Sequence, residues 1–320
     1  MVFSMQRIIE FGGRVLNLTK FGILVFLGGC CYGILSTFVK LAYSNGFIIN
    51  EVLGSQFLFG TIFIWLIALF IKDKRIQVKH VLILLLCGTT MGLTGLFYYQ
   101  SLQYIDASIA IILLFQFTWI GILLDTVFNK VKPDRIKVVA VCLLLFGSIL
   151  ASGLLGAQGA TFSLIGTIWG LMSAITFAMF IFVSGRVATT VHPIVRSAVM
   201  STGGAIFILL LFPPTFLISG ALMEGLWVYG AILGFFGVLL PPILFNVGMP
   251  KVGSGLGTIL SASELPTAVF MSLLVLKEVV TLVQWVGVMI ILFGIGYPYL
   301  ISGRFKRRKG MNGLLYIDKE

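Results

Sequence analysis

Glu264 stands in the middle of an apolar run, in the segment Ser261-Ala-Ser-Glu-Leu-Pro266. An ionisable group there is costly and is expected to face a cavity or a partner. Two residues on, Pro266 has no N–H, so the carbonyl of Ala262 loses its helical donor and is free for another partner. A carboxylate beside interrupted backbone can grip an amine or carry a proton. The plainer alternative is a protonated or hydrogen-bonded Glu that only packs helices. Gln116, Trp119 and Leu123 share one face at helical spacing. Gln116 could orient a bound molecule and Trp119 could stack on it, although interior Gln also serves as glue between helices and Trp as packing. Tyr98, Tyr99 and Gln100 close another apolar run, opposite Asn246, which follows Pro241–Pro242 in a helix those prolines must loosen. An interfacial aromatic belt explains the tyrosines equally well. Ser263, next to the carboxylate, completes the candidate binding groups.

What holds these groups in place must be a bundle of helices in lipid. Hydrophobic residues make up 59% of the 320-residue chain and charged residues 10%, with a mean hydropathy of +1.10. No water-soluble protein of this length can hide that much apolar surface. In a bilayer each backbone polar group needs an internal partner, so an all-α integral membrane protein follows. Ten runs reach the roughly 20 residues a span requires. They fall at about 20–43, 50–71, 81–100, 105–128, 135–154, 161–184, 194–217, 225–247, 253–276 and 281–302. Turn signals separate them at Ser152–Gly153, Gly156–Gly159, Pro213–Pro214 and Pro250–Lys251. The connections are too short for a soluble domain. The first 19 or so residues carry charges throughout and do not read as a cleaved signal peptide.

The basic residues fix an orientation. With the N-terminus inside, twenty of the twenty-two Lys and Arg fall on cytoplasmic segments, and only Lys40 and Lys277 face out. Adding or losing one helix would scramble that split, so the charges support ten spans with both termini cytoplasmic. The net charge of +11 is then an orientation device. It lacks the reading groups of a nucleic-acid surface. The cluster Arg304–Lys309 anchors topology or touches anionic lipid heads. Asp106, Asp125, Glu51, Glu224 and Glu278, near outer helix ends, read as solvated caps or surface ion pairs.

Several chemistries lack their residues. Cys30, Cys31, Cys87 and Cys142 all lie in apolar runs without zinc spacing. His80 and His192 lie at helix ends, and no HExxH, GxSxG or GxxxxGK[ST] occurs. No metal, cofactor, ATP site or catalytic constellation is therefore expected. A TVGYG-type filter is absent as well.

The two halves of the chain resemble each other. Gly60-Thr-Ile-Phe-Ile64 matches Gly204-Ala-Ile-Phe-Ile208, and an ungapped shift of 147 aligns 98–148 with 245–295, ending at Leu145-Phe146-Gly147 and Leu292-Phe293-Gly294. Five helices per half is odd, so the halves must be inverted relative to each other, with a site between them near the bilayer midplane. The expected division is 1–19 (cytoplasmic), 20–157 (first repeat), 158–303 (second repeat) and 304–320 (basic cytoplasmic tail). Small-residue pairs such as Gly88–Gly92 and Gly230–Gly234 allow close helix approach. Gly253 and Gly257 begin the ninth helix just before Glu264 and are the candidate hinge.

Ten helices in two five-helix halves, each ending in Gly, resemble the EamA-type transporters of the drug/metabolite transporter superfamily. So does Ser261–Pro266 followed by Leu276-Lys-Glu278. The first half departs from the pattern, with Trp119 at the repeat position of Pro266, Val131 at that of Glu278 and Phe117 at that of Glu264. The resemblance implies a central cavity lined by helices one, three, four, six, eight and nine, with alternating access, and places Tyr32 as a cavity aromatic. Pro266, Lys277 and Glu278 would belong to the gating elements, the last two in an outer gate. Secondary transport of a small metabolite such as an amino acid across the plasma membrane follows, with export the implied direction. Proton coupling through Glu264 and facilitated diffusion both fit. A channel, an integral membrane enzyme and a lipid flippase or scramblase are the competing readings. The substrate, the coupling ion and the oligomeric state are left open.

Overall fold

The computed structural model describes the backbone of residues 2–105, 107–130, 133–154 and 163–315, and the side chains of that set outside 2–18, 107–108 and 302–315. Asp106, Val131, the turn at 156–159, the repeat boundary at 157/158 and the side chains of 304–309 lie outside the described residues. Among the described residues all regular structure is helical. The α-helices are α1 (Val2–Ser44), α2 (Ile49–Leu69), α3 (Val78–Ser101), α4 (Ala107–Leu114), α5 (Phe117–Asn129), α6 (Arg135–Ala151), α7 (Leu164–Ser184), α8 (Pro193–Leu211), α9 (Trp227–Leu233), α10 (Leu240–Val252), α11 (Ser254–Ser261), α12 (Glu264–Met271) and α13 (Leu282–Leu315). Wide π-helical turns occupy Leu222–Leu226, Gly234–Leu239 and Ser272–Leu276.

Nine stretches of the described chain are long and apolar enough to cross a bilayer: Thr19–Ser44, Ile49–Leu69, Val78–Ser101, Ile109–Asn129, Leu164–Ser184, Pro193–Leu211, Leu222–Val252, Ser254–Leu276 and Leu282–Ile301. The tenth expected span is α6, which has 17 residues, or about 26 Å of helix against a hydrocarbon core of about 30 Å. It is shorter than its apolar run because Asp134 caps its start and Gly153, at φ 80°, lies in the turn that follows it. α8 likewise stops at Leu211 rather than at 217. Phe212 precedes Pro213 and is extended, as a residue before proline must be.

Two spans are interrupted at mid-depth, and the interruptions correspond. The fourth breaks at Phe115–Gln116 and the ninth at Ala262–Ser263, 147 residues later. The next helices start at Phe117 and Glu264, the spans end on Lys130 and Lys277 in the left-handed region (φ 53° and 55°), and the following helices start at Arg135 and Leu282. Each pair is again 147 apart. Packing repeats with the halves exchanged. α3 lies on α7 and α8, while α1 and α2 lie on the α9–α10 span, and α6 crosses α13.

Glycines set how closely the helices approach. A Cβ on Gly203 would meet the Leu85 backbone, its Cα at 2.7 Å, and one on Gly88 would meet the carbonyl carbon of Met200 at 2.7 Å. Backbone cannot yield as a side chain does, so α3 and α8 would have to part. Gly203→Ala is therefore expected to cost about 1–3 kcal/mol in detergent unfolding. Gly296→Ala, where a Cβ meets nothing within 4 Å, should be neutral or slightly stabilising.

Candidate functional site

The break in the ninth span places Glu264 at the first turn of the short α12. Its carboxylate lines a cavity of about 80 Å³ together with Tyr32, Gln56, Tyr98, Tyr99 and Phe177. Glu264 Oε2 is buried and has no hydrogen-bond partner. Tyr99 donates its hydroxyl to Gln56 Oε1 at 3.1 Å. On α1, Gly33 lets the helix rest against α12, because a Cβ there would meet Thr267 Cβ at 2.7 Å.

The cavity is open at one end and shut at the other. Two further cavities, of about 120 and 520 Å³, share Ser36 and Tyr98 with it and reach Lys40, Phe47, Gln103 and Glu278. Beside this vestibule Lys40 Nζ lies 3.3 Å from Glu278, whose other oxygen accepts from the Ser272 hydroxyl. Both partners of the ion pair are nearly half exposed. In the other direction aromatic rings form a floor. Tyr32 meets Phe177 edge-on at 5.2 Å and Phe245 at 5.9 Å, and Phe180 meets Phe245 at 5.8 Å. Phe180 and Phe245 are fully buried.

At the shut end Asp125 gathers four partners. Arg186 Nη2 is 3.0 Å from its Oδ1 and Lys137 Nζ 3.7 Å from its Oδ2. Ser254 Oγ and Asn129 Nδ2 donate to Oδ1 at 2.7 and 2.6 Å. Arg186 also lies 4.2 Å over the Phe182 ring. Of the two readings of Asp125, solvated cap or surface ion pair, the ion pair is the one that forms, with partners about one-third exposed. Asp125 sits near the end of α5 among the basic loop residues and ties α5, α6, α11 and the turn after α7 together.

A second buried cluster lies nearby. Arg196, 1% exposed, donates from Nη1 to the Asn246 carbonyl at 3.1 Å and from Nη2 to the Ser184 carbonyl at 2.8 Å. Ser184 ends α7, where carbonyls lack helical donors, and Pro250 cannot donate to Asn246. The Asn246 amide donates to Ser197 Oγ at 2.7 Å. Arg196 thus caps two carbonyls and is not a loop cation.

Of the residues expected to bind, Glu264, Tyr32 and Tyr99 are brought together in the cavity. Gln116, Trp119, Asn246 and Ser263 are not among its lining residues. Gln116 and Trp119 satisfy each other instead, Trp119 Nε1 donating to Gln116 Oε1 at 2.9 Å, and Trp119 is 42% exposed on the outer surface. Asn246 belongs to the Arg196 cluster. Ser263 Oγ donates to the Phe26 carbonyl at 2.6 Å and so tethers the broken span to α1. Among the gating residues, Pro266 is buried in α12. Gly253, at φ 85°, makes the one-residue corner between α10 and α11, and Gly257 lies against the Met249 side chain. Lys277 forms a left-handed cap, and the ion pair of Glu278 is with Lys40. The eighth span contributes no lining residue and the second contributes Gln56. A lone Gln in the run 50–71 was the available signal for it.

The profile of the EamA-like transporter family matches residues 20–153 and 164–298. A solved crystal structure described only as that of a protein superposes with a TM-score of 0.69 at 16% identity, covering 87% of this chain and 98% of the other. That likeness concerns the fold. No curated protein matches the chain.

Proposed function

Because this chain belongs to the EamA-like transporter family, and its many apolar helices make it a multi-pass membrane protein, we propose that it is a secondary transporter that carries a small metabolite by alternating access, without ATP. The observation that carries this reading is the central cavity, open toward Lys40 and Glu278 and closed below by aromatic rings and the Asp125 network. A channel needs a continuous polar path, and the buried Phe180 and Phe245 interrupt one. The reading includes α6 as the tenth span, two inverted repeats divided near 157/158, residence in the plasma membrane with both termini cytoplasmic, and export as the direction. The landmarks 147 residues apart and the exchanged packing support the inversion. An amino acid is one such metabolite, and Glu264 is the group through which protons would be coupled.

The test is flux into proteoliposomes from a panel of labelled amino acids, amines, sugars and nucleosides, with and without a pH gradient. Saturable, counterflow-competent flux is expected, and large unitary currents without counterflow would overturn the transporter reading.

The closed end yields a second expected result. Asp125→Asn leaves Arg186 and Lys137 facing each other without their counter-charge. Partly exposed ion pairs contribute modestly, so opening of this end should become roughly two- to tenfold more populated. Spin labels replacing Lys130 and Lys251 would report it as a longer distance component. An unchanged distribution would remove Asp125 from the gate.

A further inference from the structure

Resting on the transporter reading, we propose that the substrate is an organic monocation with an apolar or aromatic body, and that it exchanges one for one with a proton at Glu264. The lining chemistry carries this. Among the described lining residues Glu264 is the one carboxylate, and none is Lys, Arg or His. Five rings surround the same space: Tyr32 on α1, Tyr98 and Tyr99 on α3, and Phe177 and Phe180 on α7. Aromatic faces attract a desolvated cation, and a buried carboxylate oxygen without a partner is the complement such a cation needs. An anion meets neither. A zwitterionic amino acid places its ammonium well but leaves its carboxylate without a cationic partner in a desolvated site, which costs affinity.

The other groups facing Glu264 do not change the charge count. The other titratable lining groups are the tyrosines on α1 and α3, and Cys30 and Cys31, which precede Tyr32 on α1, are not lining residues. The lining residues of α2, α4 and α7 (Gln56, Ile111, Leu114, Phe177 and Phe180) bear no ionisable group, and Ala268 is the other α12 residue. The nearest basic residue of the vestibule, Lys40, is engaged by Glu278. One carboxylate therefore holds either one proton or one cation. A cation moving one way exchanges one positive charge for the proton moving the other way, so the cycle transfers no net charge.

The probe is trimethyl(2-phenylethyl)ammonium, which carries a permanent charge. Phenylalanine and 3-phenylpropionate serve as ring-matched zwitterion and anion. The purified full chain is expected to bind the ammonium, more weakly on acidification because proton and cation contend for the same oxygens, and at least about tenfold more weakly in Glu264→Gln. Phenylalanine and phenylpropionate should not displace it. In proteoliposomes a pH gradient of one unit, acid on the side of accumulation, should concentrate the ammonium about tenfold, equally with the membrane potential clamped at zero or imposed. Absence of ammonium binding to the wild-type chain, or displacement by phenylalanine at equal or lower concentration, overturns the monocation assignment. Accumulation that follows the imposed potential overturns the one-for-one exchange. Flux of phenylalanine without flux of the ammonium refutes the assignment and leaves the transporter reading intact. Ammonium binding without any flux supports the assignment and refutes the transporter reading.

Discussion

Glu264→Gln is expected to abolish gradient-driven flux while leaving the protein as stable as before, or more so. The amide copies the shape of a protonated carboxyl but can neither release a proton nor pair with a cation. Losing one partner of a desolvated charge pair costs about 2–5 kcal/mol, so flux at low substrate concentration should fall by roughly 30-fold or more. Stability should move the other way. Oε2 has no hydrogen-bond partner in the fold, and an unpaired carboxylate in an apolar cavity is a net cost that a neutral amide relieves. This opposition separates function from packing, because a Glu that only glued helices together would show the reverse pattern. The measurements are proteoliposome flux under a pH gradient and thermal unfolding in detergent. Full flux in the variant would remove Glu264 from the mechanism. Glu264→Asp keeps the charge but retracts it, and should retain part of the flux.

The features legible in the sequence are those set by long-range composition. Runs of apolar residues locate the spans to within a few residues, because a helix ends where lipid ends or where proline or glycine intervenes. The Glu264–Pro266 pair was readable because an intramembrane carboxylate is rare and proline has a fixed backbone consequence. The break at Phe115–Gln116 was not, since neither proline nor glycine marks it and only its alignment with Ala262–Ser263 connects the two. Gln116 and Trp119 looked available for a ligand because a spacing of three allows both to face one way. The same spacing allows them to bond each other, as they do. Arg196 reads as a loop cation in the sequence, since a place three residues after Pro193 does not reveal that the first turn of α8 is buried beneath α7 and α10. Asn246 and Ser263 are polar and intramembrane, as binding groups are, but backbone carbonyls and neighbouring hydroxyls engage them first.

On the transporter reading proposed above, the ends of the cavity suggest how one fold would support two states. At the open end the pair Lys40–Glu278 is exposed and joined by Ser272. At the closed end Asp125, the repeat mate of Ser272 at a shift of 147, draws in Arg186, Lys137 and Ser254. A cation closing the first helix of one half thus meets an acidic group near the end of the fourth helix in the other half, in both networks. The carboxylate at the closed end has more partners and less exposure, which favours the state in which that end is shut. Exchange between states would reverse the balance of the two networks without requiring new secondary structure. The one-residue corner at Gly253 and the breaks at Phe115–Gln116 and Ala262–Ser263 are where backbone angles can absorb the change.

Arg196→Leu is expected to be the most destabilising single substitution in the closed half, and the reason lies in backbone rather than in charge pairing. Arg196 meets no carboxylate in its cluster. Its two nitrogens cap the carbonyl that ends α7 and the one that Pro250 strands in α10, and the negative end of the α7 dipole serves as the counter-charge. Leucine leaves both carbonyls buried without donors, at about 1–3 kcal/mol each, so a loss of roughly 2–5 kcal/mol is expected in thermal unfolding. Arg196→Lys keeps the charge without the fork and should fall between. Asn246→Ala should be milder than Arg196→Leu, because it retains the carbonyl that Arg196 caps and removes only the amide's bonds to Ser197 Oγ and Met200 Sδ. The decisive measurement is a double-mutant cycle with Pro250→Ala, which restores an N–H four residues beyond Asn246 and supplies one of the two carbonyls with an alternative donor. In that background the penalty of Arg196→Leu should shrink by about 1 kcal/mol or more. Strict additivity of the two substitutions would show that the stranded carbonyl is not what holds Arg196 in place.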